Sequence, residues 1–185
     1  PNCVAYDLIF GCPGWLEGLI QAYNFIKAEA ADKCLVIGAE TLSRVVDKVD
    51  RDSMIFSDGA GAVIVEKSDS ENGVIAYKSV TYTDNNEIDI LNFERSYDSK
   101  DENKYIKMKG RKVYEFALKK VPEAMKECIE KANVNIDDIK KIFIHQANMK
   151  MDDAIVKRLY SLYNKEIPKN ILPMNIQSLG NSSVA

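Results

Sequence analysis

The chain has 185 residues, 46% of them hydrophobic and 29% charged, and its 25 basic and 28 acidic side chains leave a formal charge of −3. That composition is ordinary for a globular protein with a sizeable core, and it excludes a disordered tail, a collagen-like repeat and a charge-dominated linker. No apolar run approaches the ~20 residues of a membrane span, and no basic excess exists to neutralise nucleic-acid phosphates.

Residues 4–10 form a mostly apolar run that predicts a buried strand. Gly11-Cys12-Pro13-Gly14 breaks it, and Leu16, Leu19, Ile20, Tyr23 and Ile26 then recur at helical spacing with one buried face. Pro13 suits a first helical turn, where its missing N–H costs nothing. Cys12 is therefore expected at a strand-to-helix junction, at the helix N-terminus. Residues 34–38 predict a second buried strand, 41–52 a polar stretch, 58–61 (Asp-Gly-Ala-Gly) a tight turn, and 62–66 and 73–82 further β structure. Residues 84–103 are polar and acidic and predict an exposed excursion with a short strand at 88–93.

The strongest helix is predicted at 108–132, where Val113, Phe116, Ala117, Val121, Ala124, Met125, Cys128, Ile129 and Ala132 keep the i, i+3, i+4 pattern and Pro122 is expected to kink it. After a loop at 133–138, residues 141–144 predict a short strand ending at His145. A second amphipathic helix follows on Met151, Ala154, Ile155, Arg158, Leu159 and Leu162. Residues 168–175 read as loop or short strand, and Leu179-Gly180-Asn181 turns. Strands alternating with helices argue for α/β layers around a largely parallel sheet. Residues 4–27 and 141–162 share a plan of strand then helix, with a Cys at the first junction and a His at the second.

The chain starts Pro1-Asn2-Cys3 without a Met and stops in small residues after a turn, so both ends read as fragment boundaries, with a processed mature protein as the alternative. Four cysteines (Cys3, Cys12, Cys34, Cys128) without CxxC spacing, and a single histidine, give no zinc pattern and no disulfide scaffold; the reading is a reducing, cytoplasmic setting.

Three residues stand out as carriers of chemistry. A thiol at a helix N-terminus meets the positive end of the macrodipole, which favours the nucleophilic thiolate; the bland reading of Cys12 is a small buried apolar residue, as expected for Cys3, Cys34 and Cys128. His145 ends a strand, where ligands bind in open α/β sheets, or simply caps a loop. Asn181 is by itself a turn residue. Together, Cys, His and Asn suggest acyl chemistry: thiolate attack on a carbonyl, with His and Asn stabilising developing charge. Papain-like proteases also place His and Asn about 130–150 residues after the Cys, but they carry an aromatic directly after the nucleophile, whereas Pro13 and Gly14 stand here.

Five stretches, Asp7-Leu8-Ile9-Phe10-Gly11-Cys12-Pro13-Gly14, Leu35-Val36-Ile37-Gly38-Ala39-Glu40, Phe56-Ser57-Asp58-Gly59-Ala60-Gly61-Ala62, His145-Gln146-Ala147-Asn148 and Gly180-Asn181-Ser182-Ser183, occur in one order across nearly the whole chain. In that order they resemble the β-ketoacyl-acyl-carrier-protein synthase III family of the thiolase superfamily. The resemblance implies a thiolase-like fold, with residues 1–66 closing an N-terminal half that carries Cys12 and residues 67–185 forming a C-terminal half that carries His145 and Asn181. It implies that Cys12 accepts an acyl group from an acyl-CoA, and that His145 and Asn181 promote decarboxylation of malonyl-acyl-carrier protein and stabilise the enolate that attacks the acyl thioester. No metal or redox cofactor is implied; a homodimer is.

Secondary positions follow from the same resemblance. Arg51 matches an arginine at the adenine end of CoA, Phe56 lines the acyl pocket, and Arg111 and Tyr114 flank the CoA channel. Asn148 falls in the His-Gln-Ala-Asn stretch, and Lys150 lies where a basic residue attracts the carrier protein or a phosphate. Pro13 and Arg111 depart from the small residues common at their positions, which bears on acyl-chain preference. The family places most of its first half before the nucleophile and a glycine-rich strand after the Gly-Asn turn. These 185 residues alone are therefore expected to be catalytically impaired and to expose an apolar edge that self-associates. Two other readings remain open: a papain-like cysteine hydrolase, and a non-condensing acyl-CoA-binding relative.

Overall fold

In the computed structural model, which describes residues 3–70, 72–83 and 87–185, the first regular element is helix α1, Gly14–Lys27. Pro13 stands at its N-cap and Pro13 O accepts the first helical N–H, from Glu17. Ile20 and Ala22 face inward, against strand β1, Lys33–Thr41. β1 pairs antiparallel with β2, Asp58–Glu66, over nine residue pairs from Lys33↔Glu66 to Thr41↔Asp58. The inner face of β1 carries Val36 and Gly38; its outer face leaves Leu35 at 63% and Ile37 at 59% exposure, with Ile64 of β2 at 70% beside them. Strands β3, Leu91–Arg95, and β4, Lys104–Met108, form a second antiparallel pair. Helices α2, Gly110–Lys131, and α3, Met149–Ser161, pack on each other, and the short helix α4, Ile176–Leu179, precedes the C-terminal turn. Among the described residues no helix is long and apolar enough to cross a membrane.

The chain is thus mixed α/β, but the expected largely parallel sheet is absent among the described residues: both sheets are two-stranded and antiparallel. The excursion 42–57 turns the chain back on itself through two 3-10 segments, so β2 returns alongside β1 instead of crossing over. Residues 4–10 join no ladder and are exposed, Val4 at 87% and Ile9 at 98%. Apolar runs predict extended backbone, but a strand also needs a neighbour to take its N–H and C=O groups. Residues 73–82 and 141–144 are irregular for the same reason. The first is tied down by side chains, Tyr77 Oη donating to Asn24 and Tyr82 stacking edge-on to Phe116. The second makes, among the described residues, a single backbone bond, from Ile142 N to Ile171 O.

The predicted turn at 58–61 is instead the start of β2. Its glycine answers a close approach: a Cβ on Gly59 would stand 2.8 Å from the Cβ of Ser182. Cys3 is exposed, not a buried apolar residue, while Cys34 and Cys128 are half-buried. Of the excursion predicted at 84–103, residues 84–86 lie outside the described set; β3 falls close to the expected strand. Pro122 is buried within α2, which runs on through it.

The core gathers Ile136, Ile142, Val156, Leu159, Tyr160 and Ile171, with Met125 and Ile129 of α2 packed against them. α3 buries Asp152, Ile155, Val156, Leu159 and Tyr160, a face turned by about one residue from the one that the apolar spacing marks.

The β3–β4 pair is anchored to the 42–57 excursion by a buried ammonium. Lys107 Nζ lies 2.5 Å from Asp47 and 2.9 Å from Asp50, over the ring of Tyr97. Burial opposes ionisation of Asp47, but the Lys107 ammonium and the N–H groups of Tyr97 and Val49 outweigh it and hold the carboxyl at about 2. Because that value is depressed, the stability contributed is complete above the ordinary carboxylate range, near pH 4, and is lost as pH falls through about 2. Urea midpoints measured between pH 5 and 2 should fall in the native chain, and the Asp47→Asn variant, weaker throughout, should show a flatter decline.

Candidate active site

Cys12 occupies the turn that opens α1, closed by the bond from Gly14 N to Gly11 O at 2.7 Å. Gly14 is buried under Val184, so the turn lies against the C-terminal tail. The tail is held by backbone bonds from Asn181 N to Ile55 O and from Ser57 N to Asn181 O, in a bridge between Phe56 and Asn181. Gly180 makes this possible: its φ of 72° lies in the left-handed region, and a Cβ there would be 3.0 Å from Ser57 Cβ.

His145 reaches the same place from the loop before α3. Gln146 fixes that loop, donating through Nε2 to Pro173 O and accepting at Oε1 from Asn175 N. Asn148 caps α3, its Oδ1 accepting from Lys150 N and Met151 N.

The three sequence candidates converge. Ser183 Oγ donates to Cys12 Sγ at 3.6 Å and His145 Nδ1 lies 3.1 Å from Ser183 O, so Ser183 links the sulfur to the imidazole. A carbonyl only accepts, so Nδ1 carries the proton and Nε2 is left for the sulfur. Asn181 is buried; its Oδ1 accepts from Ser183 N at 2.9 Å, which leaves the amide NH2 as the group free to donate. Burial alone would raise the Cys12 thiol, but the hydrogen bond and charge of His145, with Ser183, reverse that and place it below its ordinary value. Burial likewise lowers His145, and its contacts with Cys12 and Ser183 O, with a charge contribution from Asp152, raise it above the usual imidazole value. The pair thus tends toward thiolate and imidazolium. Alkylation of Cys12 by iodoacetamide should titrate below ~8.5, the value of a free thiol. The His145→Gln variant should move that midpoint upward, and peptide mass spectrometry against pH measures both.

The other sequence candidates lie apart from this contact. Arg51 and Lys150 are exposed, Phe56 is half-buried beside Asn181, and Tyr114 is 40% exposed on α2. Arg111 is exposed and paired with Glu115 one turn on. Two residues escaped the sequence reading. Ser183 reads in the sequence as one small residue of a Gly-Asn-Ser-Ser turn. Asp152 is wholly buried, and its signal was an acidic residue four before Val156 on an otherwise apolar stripe. Among the described residues no three His, Cys, Asp or Glu side chains gather as a metal site.

Comparison with known proteins bears on this arrangement. Residues 6–84 match the family model of 3-oxoacyl-[acyl-carrier-protein (ACP)] synthase III. The chain is 35% identical over 193 residues to the β-ketoacyl-[acyl-carrier-protein] synthase III of Porphyra umbilicalis, covering 100% of this chain and 57% of that protein. It is 35% identical over 182 residues to that of Aquifex aeolicus, covering 98% and 54%. The crystal structure of the Thermus thermophilus synthase III superposes with a TM-score of 0.82 at 34% identity, covering 97% of this chain and 55% of that one. The chain therefore spans a little over half the length of the relatives it matches. By sequence and by fold together, these 185 residues are similar to a little over half of a β-ketoacyl-acyl-carrier-protein synthase III.

Proposed function

We propose that this protein is an acyltransferase that condenses an acyl-CoA with malonyl-acyl-carrier protein through an acyl-Cys12 intermediate, in fatty-acid or related lipid or polyketide synthesis. The observation that carries this reading is the Cys12–His145–Ser183 contact, with Asn181 beside it, in a chain similar to synthases of that name.

The Cys12 thiolate attacks the acyl-CoA carbonyl, the bond from that carbon to the CoA sulfur breaks, and the CoA thiolate leaves and takes its proton from solvent, so that His145 stays the imidazolium. Malonyl-acyl-carrier protein then loses CO2, and the electrons of the broken C–C bond form an enolate whose oxygen is held by His145 Nε2–H and the Asn181 amide. The enolate carbon attacks the acyl carbonyl, a new C–C bond forms, and Cys12 leaves as thiolate. No step needs a metal or redox cofactor. Arg51, Phe56, Arg111, Tyr114 and Lys150 belong to the acyl-CoA and carrier surfaces in this reading, and Asn148 supports His145 by capping α3. Residues 1–66 and 67–185 are then parts of the two thiolase halves, meeting where Cys12 touches Ser183. The exposed apolar outer face of β1 and β2 supports a homodimer, and a cytoplasmic location suits the substrates.

Incubating the protein with a panel of acyl-CoAs and locating the added mass by peptide mass spectrometry tests the reading. The acyl group is expected on Cys12; labelling elsewhere, or none, overturns it. Cleavage of peptide substrates without CoA dependence would favour a hydrolase instead.

A further inference from the structure

One buried acid on the helix that follows His145 has as yet no part in the acyl transfer or the condensation. Asp152 sits in the first turn of α3, fully buried, and both of its carboxylate oxygens lack a hydrogen-bond partner among the described residues. The N–H groups of Ala147 and Asn148 approach it without closing a hydrogen bond. A buried carboxylate without a partner is costly, and an apolar side chain at that point of the stripe would avoid the cost. The charged groups that reach Asp152 are His145 and Asp153; those acting on Cys12 are its own surroundings, His145 and Ser183. His145 lies in the loop that leads into α3 and Asp152 in the first turn of that helix, so one short segment carries the imidazole and the buried acid.

His145 has one nitrogen committed. Nδ1–H donates to Ser183 O, so Nε2 can donate to an enolate oxygen only if the ring is the imidazolium. In the free enzyme the Cys12 thiolate balances that charge. Acylation turns the sulfur into a neutral thioester and removes the balance. We propose that Asp152 is a positioning residue, the counter-charge that keeps His145 doubly protonated once Cys12 carries its acyl group. This rests on the acyl-Cys12 reading and assigns the buried acid to the second half of the reaction, decarboxylation and condensation. Burial lifts Asp152 to about 6, so it is mostly ionised at neutral pH.

Two measurements test it. The first needs no turnover. His145 is the only histidine of the chain, so its ring signals can be followed by NMR. A Cys12→Ala background leaves residue 12 neutral, as acylation does. In that background His145 should titrate at lower pH when Asp152→Asn or Asp152→Leu is added; an unchanged titration in a folded variant overturns the proposal. The second follows the half-reactions in the protein at full length. Condensation should fall about tenfold relative to acylation in Asp152→Asn. In the unsubstituted protein the ratio of the two rates should drop as pH falls through about 6. Equal loss of both half-reactions, or a ratio flat with pH, means that Asp152 serves only the fold. Failure of acyl-CoA to label Cys12 would defeat the functional reading, while the NMR comparison would still decide the role of Asp152.

Discussion

Replacing Cys12 by serine should reduce acyl uptake by about a thousandfold or more, while leaving the fold intact. The substitution changes one atom in a turn whose backbone bond, from Gly14 N to Gly11 O, does not involve the side chain. What it removes is acidity. The sulfur is already drawn toward the thiolate by His145 and Ser183, whereas a hydroxyl in the same place stays protonated and has far weaker nucleophilic character. Cys12→Ala should match the serine variant in uptake and differ little in thermal stability. Intact-mass measurement after acyl-CoA treatment reads uptake, and circular dichroism reads the fold. If the serine variant retained even a tenth of the uptake, the nucleophile would lie elsewhere.

Gly38→Ala should be the most damaging small substitution away from the reacting atoms. A Cβ at this inner position of β1 would overlap the carbonyl oxygen of Val184 and stand 3.1 Å from Trp15 Cβ. One neighbour is backbone and the other the root of a side chain on α1, so neither can swing away. Overpacking of this kind costs about 1–3 kcal/mol. Relief would come from lifting the C-terminal tail, and Ser183, whose carbonyl holds His145 Nδ1, would lift with it. The variant should therefore lose both thermal stability and the low-pH alkylation of Cys12. Gly61 provides the control. It stands directly opposite Gly38 in the ladder, but a Cβ there meets nothing within 4 Å, so Gly61→Ala should change neither property appreciably. Equal effects at the two glycines would show that strand backbone freedom, not contact with the tail, is what residue 38 supplies.

The local elements were legible because their signals are local. The apolar spacing marks α1, α2 and α3 to within a few residues, and β1 follows from an apolar run closed by Gly38. The chemistry was legible because a thiol before a helix, a single imidazole and an Asn in a Gly-Asn turn are few, and each lies in a recognisable stretch. Sheet topology was not. Residues 4–10 and 141–144 have the composition of strands, but pairing depends on what lies alongside, which composition does not encode. β4 was missed because Lys-Tyr-Ile-Lys-Met gives no clean alternation, and its buried residue, Lys107, makes sense only once Asp47 and Asp50 are beside it. The glycines of β2 read as a turn because closeness to Ser182, more than a hundred residues onward, leaves no mark on their immediate neighbours. Asp152 was hidden likewise, its importance resting on an imidazole outside its own helix.

Cys12 touches Ser183 across 171 positions of sequence. While the polypeptide emerges from the ribosome, the sulfur is synthesised long before the serine that helps to activate it, and before His145 as well. During that interval it lacks the hydrogen bonds and charge by which His145 and Ser183 lower its thiol. Contacts so distant along a chain also close slowly. The fold thus withholds the arming of its nucleophile until Ser183 and His145 have been made and brought to it.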